Sequence, residues 1–374
     1  MKKKGFYNII IPLSLAVFLL SCLLLAFAGY SMSSVYYQET DLLKKCPFIL
    51  QPSEKYDSLQ YASDGKNFTY KNRDEKKMVT IDKSGKVLKK ESIYAPSTKA
   101  VYDKFDITED FHDGFVQTEN EDGDPIIIDK DGRIVFQKKG TFYIEHIDGP
   151  YFIVEFPSHC IVYDAENDRQ IKTDPEISRA RKYAEGGYVA SFTSTGNQAL
   201  VDENFKVIGD GRYYQYIGDF SEGLRYVARK EGSFVGKEKD GAEIIKGFED
   251  REGNMVFTLP KDTLCAYPFS EGKSIVYGRQ YIAAVDKEGK ELFRIPSKLS
   301  PGDWTAGVDE PQYETVFYHG YAVAATDTDK YGIIDSRGNF AAEPVFLSAA
   351  ARSDGLFIVE YHGRYGIVDV KEGF

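Results

Sequence analysis

Short apolar stretches separated by clusters of turn-forming residues make up most of this chain. Long runs rich in alanine and leucine are absent after the first thirty residues. Aromatic residues are frequent, at 14 %, with 27 Tyr and 25 Phe. Aromatic and β-branched side chains favour half-buried pleated surfaces, and a hydrophobic share of 42 % is enough for a sizeable core. The pattern therefore predicts an all-β protein.

One turn-forming unit recurs about eight times. It consists of an apolar stretch, an Asp, two or three residues, a Gly or a substitute, and a second apolar stretch. An Asp at the start of a tight turn can accept hydrogen bonds from the backbone ahead of it, and Gly supplies the positive φ that other residues resist. Each unit therefore predicts a hairpin of two antiparallel strands. The clear copies centre on Asp82, Asp129, Asp250, Asp286 and Asp335, and the weaker ones on Asp164, Asp202 and Asp369.

A second motif precedes the turn in most units. It contains an aromatic residue, a small or polar residue, an acidic residue and a Gly, as in segments 220–223 and 269–272. The motif Gly and the following Asp are 14 to 17 residues apart in seven units, and 27 residues apart between Gly223 and Asp250. Two motifs at so constant a separation indicate that one structural unit is repeated.

The last two units resemble the WG-repeat family, whose short β-repeats occur in many bacterial proteins. Segments 330–338 and 364–369 carry the resemblance, with Tyr331-Gly332 and Tyr365-Gly366 where family members usually have Trp-Gly. The other six units lack the dipeptide at this position, so the resemblance is specific only in the last two repeats, whereas the repeat spacing extends it over residues 60–374. It implies a repeat protein with a binding role, and it adds no catalytic residue.

The repeat length predicts the architecture. Successive Asp positions lie 34 to 49 residues apart, close to the length of a four-stranded propeller blade, about 40–50 residues. The last unit lacks an apolar strand after Asp369, whereas Cys46–Leu50 is an apolar strand with no turn motif before it. A ring in which this first strand completes the last unit would use both and hide both edges. We therefore expect a β-propeller of seven or eight blades, with an open β-solenoid of hairpins as the alternative.

The first thirty residues form a separate segment with a membrane signature. Three lysines at positions 2–4 precede an uncharged run of 22 residues, 9–30. A helix of that length crosses a hydrocarbon core of about 30 Å, and the lysines keep the N-terminus in the cytoplasm. We expect an uncleaved anchor over residues 1–30. A cleaved signal peptide ending near 26–28 and a lipoprotein signal at Cys22 are alternatives, and all three place the body outside the cytoplasm, at the membrane or secreted.

The remaining chain divides into a linker, 31–60, which contains the candidate closing strand, and a β-repeat domain, 61–374. Without residues 1–30 the chain carries 44 basic and 58 acidic residues, a net charge of −14. Nucleic-acid binding requires a basic surface, so nucleic acid is excluded as a partner. Cys46, Cys160 and Cys265 are too few and too widely spaced for a disulfide framework, and no zinc-binding spacing appears. The sequence leaves open whether two of these three cysteines form a single disulfide.

The motifs include no set with catalytic or metal-binding spacing, and we expect no enzymatic activity, metal or cofactor. His112 lies two residues before its repeat Gly and His319 one residue before, and both are interpreted as turn residues. The acidic segment 119–124 lacks the spacing of a calcium-binding loop, so it is interpreted as a hairpin tip.

Two segments, 228–248 and 296–316, interrupt the repeat. Long loops on a regular scaffold often carry function, so Trp304 and Tyr313 in the second segment are the candidate binding residues. We expect a membrane-anchored module or scaffold that binds a protein or an envelope polymer. The alternative is a glycan-active hydrolase or lyase, which requires carboxylates of several blades to converge within about 5–10 Å.

Overall fold

The computed structural model describes residues 42–92, 99–105, 107, 111–296 and 315–370, except for 57, 73, 76, 210, 236, 238, 240, 242, 328, 329, 353 and 354. Within this part the chain forms 29 strands and a seven-residue helix, α1 (Lys99–Phe105), and residues 42–45 are also helical. The all-β prediction is confirmed. The predicted membrane segment, 1–30, lies outside the described residues, and among those described no helix is long and apolar enough to span a bilayer.

The strands pair antiparallel in seven sheets. Sheet 1 contains β2 (Gln60–Tyr61), β3 (Phe68–Asn72), β4 (Lys77–Ile81) and β5 (Val87–Ser92). Sheet 2 contains β6 (Phe115–Glu119), β7 (Pro125–Asp129) and β8 (Ile134–Gln137). Sheet 3 contains β9 (Tyr143–Asp148), β10 (Tyr151–Phe156), β11 (His159–Asp164) and β12 (Arg169–Ile171).

Sheet 4 contains β13 (Ile177–Lys182), β14 (Tyr188–Phe192), β15 (Gln198–Val201), β16 (Arg212–Ile217), β17 (Arg225–Phe234), β18 (Ile244–Glu249) and β19 (Met255–Thr258). Sheet 5 contains β20 (Thr263–Ala266), β21 (Ser274–Gly278), β22 (Tyr281–Val285) and β23 (Glu291–Pro296). Sheet 6 contains β24 (Tyr321–Asp327), β25 (Lys330–Asp335) and β26 (Phe340–Phe346). Sheet 7 contains β27 (Ser348–Arg352), β28 (Leu356–Tyr361), β29 (Arg364–Asp369) and, from the start of the chain, β1 (Phe48–Ser53).

Sheet 4 consists of two units with a narrow junction. Between β15 and β16 the registered pairing is Gln198 with Tyr214 alone, whereas β17 and β18 pair over six positions, from Arg225–Glu249 to Lys230–Ile244. The units are therefore β13–β15 and β16–β19. With the other six sheets they match the eight copies of the sequence repeat.

The first strand of the chain completes the last sheet. In β1, Phe48 lies opposite Val368 and Leu50 opposite Ile367 of β29, which also pairs with β28. This is the pairing that the two ends of the sequence predict. An open solenoid keeps its terminal units apart, so the pairing disagrees with the solenoid alternative.

The hydrophobic core is divided into layers between neighbouring sheets. One cluster joins Ile153 and Val162 of sheet 3 to Phe192 of sheet 4. Another cluster joins Tyr277 of sheet 5 to Ala324 of sheet 6. Sheet 5 packs against sheet 6 in this cluster and against sheet 4 in a third one, which explains why β21 and β22 are buried at every position.

The repeated Asp turns have the predicted geometry. In the turn after β22, Asp286 Oδ1 accepts hydrogen bonds from the Glu288 and Lys290 amides at 3.2 and 2.8 Å, and Gly289 has a φ of +82°. A Cβ on Gly289 would lie 2.7 Å from the ring of Phe257 in β19, the outer strand of the preceding unit. The conformation of the turn is thus fixed by its own Asp and Gly, and the turn packs against the preceding unit.

Candidate functional site

The two ends of the sheets differ in construction. Both repeated motifs lie at one end, which we call the latch face, since segments 267–273 and 286–290 join consecutive antiparallel strands of sheet 5 at the same side. The opposite end carries the connections that vary in length, including 138–142 and 235–243. We call it the insertion face.

The latch face is built from tight turns. Ser221 and Leu224 exchange two backbone hydrogen bonds, and the central residues Glu222 and Gly223 have φ of +52° and +93°. Positive φ at both central residues defines the hairpin turn whose twist matches the flanking strands. His319 has φ +52° in the equivalent turn of sheet 6, so its location agrees with its interpretation as a turn residue.

Side chains of these turns bind the next turn. Ser221 Oγ donates to the Phe269 carbonyl and Ser270 Oγ to the Phe317 carbonyl, both at 2.6 Å. Glu222 accepts a hydrogen bond from the Gly272 amide at 3.1 Å, and Glu271 accepts one from the Gly320 amide at 2.8 Å. The Ser and Glu of the motif therefore link successive units.

Ion pairs add to these links on the latch face. Lys182 pairs with Asp148 at 2.6 Å, and Lys287 pairs with Glu222 at 3.1 Å. In both pairs the partners come from different units. The carboxylates of Asp148 and Glu222 thus bind neighbouring units, instead of converging as an acid pair.

A buried charge cluster joins the two units of sheet 4. Arg225, 5 % exposed, contacts Glu249, 0 % exposed, at 2.6 Å, and Arg225 Nη1 donates to the Tyr183 hydroxyl at 2.8 Å. Burial opposes the charge of Arg225, but Glu249 outweighs it and holds the pKa of the guanidinium above its ordinary value. Because each charge has its partner, we interpret the cluster as structural.

The segment 228–248 forms a long hairpin that projects on the insertion face. It comprises the end of β17, the connection 235–243 and most of β18. The Val235 amide donates to the Gly211 carbonyl at 2.7 Å, and Val235 packs against the cluster between sheets 3 and 4. The interruption of the repeat is therefore an extended hairpin held against its neighbours.

The candidates Trp304 and Tyr313 lie outside the described residues. Their segment leaves β23 at Pro296, which is opposite Tyr281 and so at the insertion face. The structure therefore places the start of this segment but brings neither candidate together with other residues.

Three exposed aromatic residues lie at the insertion end of sheet 3, and we call this set, Phe142, Tyr143 and His159, the aromatic patch. Phe142 is 73 % exposed and Tyr143 is 51 % exposed, although the Phe142 amide is bound to the Glu155 carbonyl at 2.8 Å. His159 stacks on Phe156 with ring centroids 4.7 Å apart. Rings this exposed on a hydrogen-bonded backbone are typical of contact surfaces.

The sequence contained a signal for this patch that motif searching missed. Phe142 ends the connection 138–142 and Tyr143 begins β9, so these adjacent aromatics follow shortly after Lys138, Lys139 and Gly140, and they belong to neither repeated motif. The aromatic residues of the repeat occupy core positions, whereas these two lie outside the repeat and have no core position predicted for them.

A groove lies between α1 and sheet 2, and we call it the α1 groove. It encloses about 940 Å³ and is lined by Phe105, Glu119, Glu121, Asp122 and Ile134, among others. It adjoins the aromatic patch through the chain, because Gln137 lines the groove and the connection 138–141 then leads to Phe142. The acidic segment 119–124 is a hairpin tip, as predicted, in which Asn120 Oδ1 accepts from the Asp122 and Asp124 amides at 2.9 Å.

Metal and thiol chemistry find little support in the described part of the chain. No group of three or more His, Cys, Asp or Glu side chains there is arranged to hold a metal ion. Cys46, Cys160 and Cys265 are free thiols, which answers the open question of a disulfide in this structure. Burial raises the pKa of Cys46 to about 11 and that of Cys265 to about 12, so both are protonated at neutral pH.

Comparisons with known proteins identify no family. No family model matches the sequence, and no curated protein matches it. The WG-repeat resemblance therefore stays a prediction.

Solved structures of similar fold include virginiamycin B lyase from Staphylococcus aureus, with 9 % identity, a TM-score of 0.34, and coverage of 85 % of this chain and 97 % of that one. The dihydro-heme d1 dehydrogenase NirN has 14 % identity and a TM-score of 0.39, over 85 % and 76 % of the two chains. BamB from Moraxella catarrhalis has 10 % identity and a TM-score of 0.30, over 83 % and 81 %. Similarity at this level assigns no function.

Proposed function

We propose that this chain is a binding module whose insertion face captures a protein or an envelope polymer. The observation that carries the proposal is Phe142, 73 % exposed on a backbone held by a hydrogen bond to β10. An immobilised aromatic loses little conformational entropy on binding, which makes it an effective anchor. On the latch face, by contrast, the repeated side chains contact neighbouring units.

We propose that the eight units are the blades of one closed propeller. Support comes from the pairing of β1 with β29, from the narrow junction between β15 and β16, and from the core layers between successive sheets. A ring of this kind presents one end of all its sheets as a single rigid surface.

We further propose that residues 1–30 anchor the module in the membrane with the propeller outside the cytoplasm. The uncharged run 9–30 and the lysines at 2–4 support this orientation. The WG-repeat resemblance of segments 330–338 and 364–369 supports the same binding role. We propose no reaction, cofactor or metal for the chain.

The binding role can be tested by capture from envelope extracts with the full chain in detergent. We expect retention of a discrete partner, and a reduction of about tenfold or more for Phe142→Ser, the size expected for an aromatic hot spot. The matched control is Val256→Ser, since Val256 is also exposed, at 47 %, but lies on the outer strand β19. Equal retention by both variants would contradict the proposal, as would the absence of any retained partner.

A further inference from the structure

The α1 groove exists because the contact between sheets 1 and 2 departs from the repeat. At other contacts the turn Gly lies against an outer strand: Gly289 against Phe257 of β19 and Gly338 against Phe293 of β23. In sheet 2 a Cβ on the equivalent Gly132 would lie 3.4 Å from Val101 and 3.5 Å from Phe105 of α1. The outer strand of sheet 1, β5, is exposed at all six positions. Among the described residues, the helix thus takes the place of a strand on sheet 2, and the α1 groove lies beside it.

The floor of the groove has two apolar side chains, Ile134 and Phe105, among lining residues that are otherwise polar, charged or glycine. Ile134, in β8, is 46 % exposed, and Phe105 is half-buried beside it as a lining residue. Ile134 belongs to the outer strand β8 and lines the groove. A cavity of about 940 Å³ has the size that accommodates a few side chains of a ligand.

The rim of the groove carries unpaired negative charge. Glu119, Glu121, Asp122 and Asp124 are exposed, and none forms an ion pair with a described residue. Their hairpin is rigid because Asn120 bonds two amides of its tip. Lys104 is the cation among the lining residues, and its Nζ lies 4.5 Å from the Phe105 ring centroid. The rim therefore has an excess of fixed carboxylates, unlike the latch face.

We propose that the α1 groove binds a basic, extended segment of a partner protein, with an apolar side chain of that segment on Ile134 and Phe105 and its Lys or Arg side chains at Glu119, Glu121 and Asp122. The proposal rests on the binding role of the insertion face and names the class of partner. Charge complementarity supports the proposal, because the acidic rim attracts the basic side chains of a partner at short distance. The net charge of −14 outside residues 1–30 also attracts a basic partner over longer distances.

Two other occupants fit the groove less well. An anionic polymer would meet both the acidic rim and the acidic body. A second copy of this chain would bring the same net negative charge to the contact. Both are repelled by the charges that attract a basic segment.

The test uses the full chain in detergent and a fluorescein-labelled peptide, GKLKLKG, measured by fluorescence anisotropy. We expect saturable binding that weakens between about 50 and 300 mM salt, since the exposed charges are screened. The combined variant Glu121→Gln, Asp122→Asn is expected to bind about three- to tenfold more weakly, the range for two exposed ion pairs. Ile134→Asn is expected to weaken binding about tenfold by removing the apolar floor.

The matched control is the combined variant Glu252→Gln, Glu288→Gln, which removes the same net charge from exposed turns of the latch face. It should bind the peptide as the wild type does. Thermal unfolding of every variant checks that the fold is intact, and substitutions at such exposed positions are expected to change stability by less than about 0.5 kcal/mol.

Three outcomes would overturn the proposal: a GELELEG peptide that binds as tightly, an equal loss for the rim and control variants, or wild-type affinity in the rim variant. Capture from envelope extracts separates this proposal from the binding role itself. If Phe142→Ser loses the partner while the rim variant binds both peptide and partner normally, the binding role stands and the basic-segment proposal fails. If Phe142→Ser keeps the partner, the binding role of the aromatic patch fails regardless of the peptide result.

Discussion

The Gly of the repeated turn meets two separate demands. Gly289 has a φ of +82°, and a Cβ there would lie 2.7 Å from the Phe257 ring. Gly123 has nearly the same φ, +81°, but nothing lies within 4 Å of the position of its Cβ. Alanine substitutions at these two positions therefore separate two contributions to stability. Both carry the conformational cost of a positive φ, and only the one at Gly289 adds a steric clash.

We expect Gly289→Ala to lower the free energy of unfolding by about 1–3 kcal/mol more than Gly123→Ala, which is the usual cost of overpacking. Both variants share the conformational cost of a positive φ. Urea unfolding followed by circular dichroism measures the difference. Equal losses would mean that Phe257 moves aside and that the contact between units is soft.

The Asp of the turn makes stability depend on pH. Asp164 is 0 % exposed, and although burial opposes its charge, hydrogen bonds from Asn167 and Arg169 outweigh this and lower the pKa of its carboxyl below the ordinary 3.8. A lowered pKa in the folded state stabilises the fold at neutral pH. This contribution is complete above the unfolded value and is lost as the pH falls through the lower folded value.

We expect Asp164→Asn to reduce the free energy of unfolding at pH 7 by about 1.5–3 kcal/mol, the range for hydrogen bonds to a charged group. The difference from the wild type should shrink as the pH is lowered below about 3.8. Unfolding titrations at several pH values measure it, with Asp131→Asn as the control because the Asp131 side chain is 64 % exposed. A difference that stays constant down to pH 2 would contradict the role of the charge.

At the scale of the elements, the sequence predicted what local chemistry determines. Asp286 and Gly289 fix their turn through their own backbone, so the hairpin is visible in the sequence. The exposure of Phe142 depends on the path of the connection between sheets 2 and 3, and no local pattern reports that. The helix α1 was not predicted either, because seven residues are too few for a periodic signal and Val101 and Phe105 gain their meaning only from Gly132 opposite them.

The closing strand β1 illustrates a prediction that needed both ends of the chain. Leu50 is 7 % exposed and packs with Phe68 and Val79 of sheet 1 while its strand pairs with β29 of sheet 7. We expect Leu50→Ala to lower the free energy of unfolding by about 2–5 kcal/mol, the range for a buried Leu. Leu88→Ala, at a position 50 % exposed, is the control and should change it by less than about 0.5 kcal/mol. A small effect of Leu50→Ala in urea unfolding would show that the closing strand is dispensable.

At the scale of the whole molecule, the two faces have different roles. The latch face repeats one set of contacts, from Ser221 and Glu222 onward, and this regularity is what made the architecture readable from the sequence. The insertion face carries departures from the repeat, which include the aromatic patch and the acidic rim of the α1 groove, and the groove extends from there along sheet 2 to the turn residue Gly132. The repeat therefore predicts the scaffold, whereas the binding surface is encoded in residues that the repeat does not explain.

The pairing of β1 with β29 also has a consequence for the timing of biosynthesis. β1 is made early, and its partner is made only after more than three hundred further residues. At about 5–20 residues per second this leaves β1 without its partner for roughly 15–60 s. During that interval the edge of β1 and the Leu50 side chain are open to other chains, so we expect the growing polypeptide to depend on chaperones or on threading through a translocation channel until its last residues emerge.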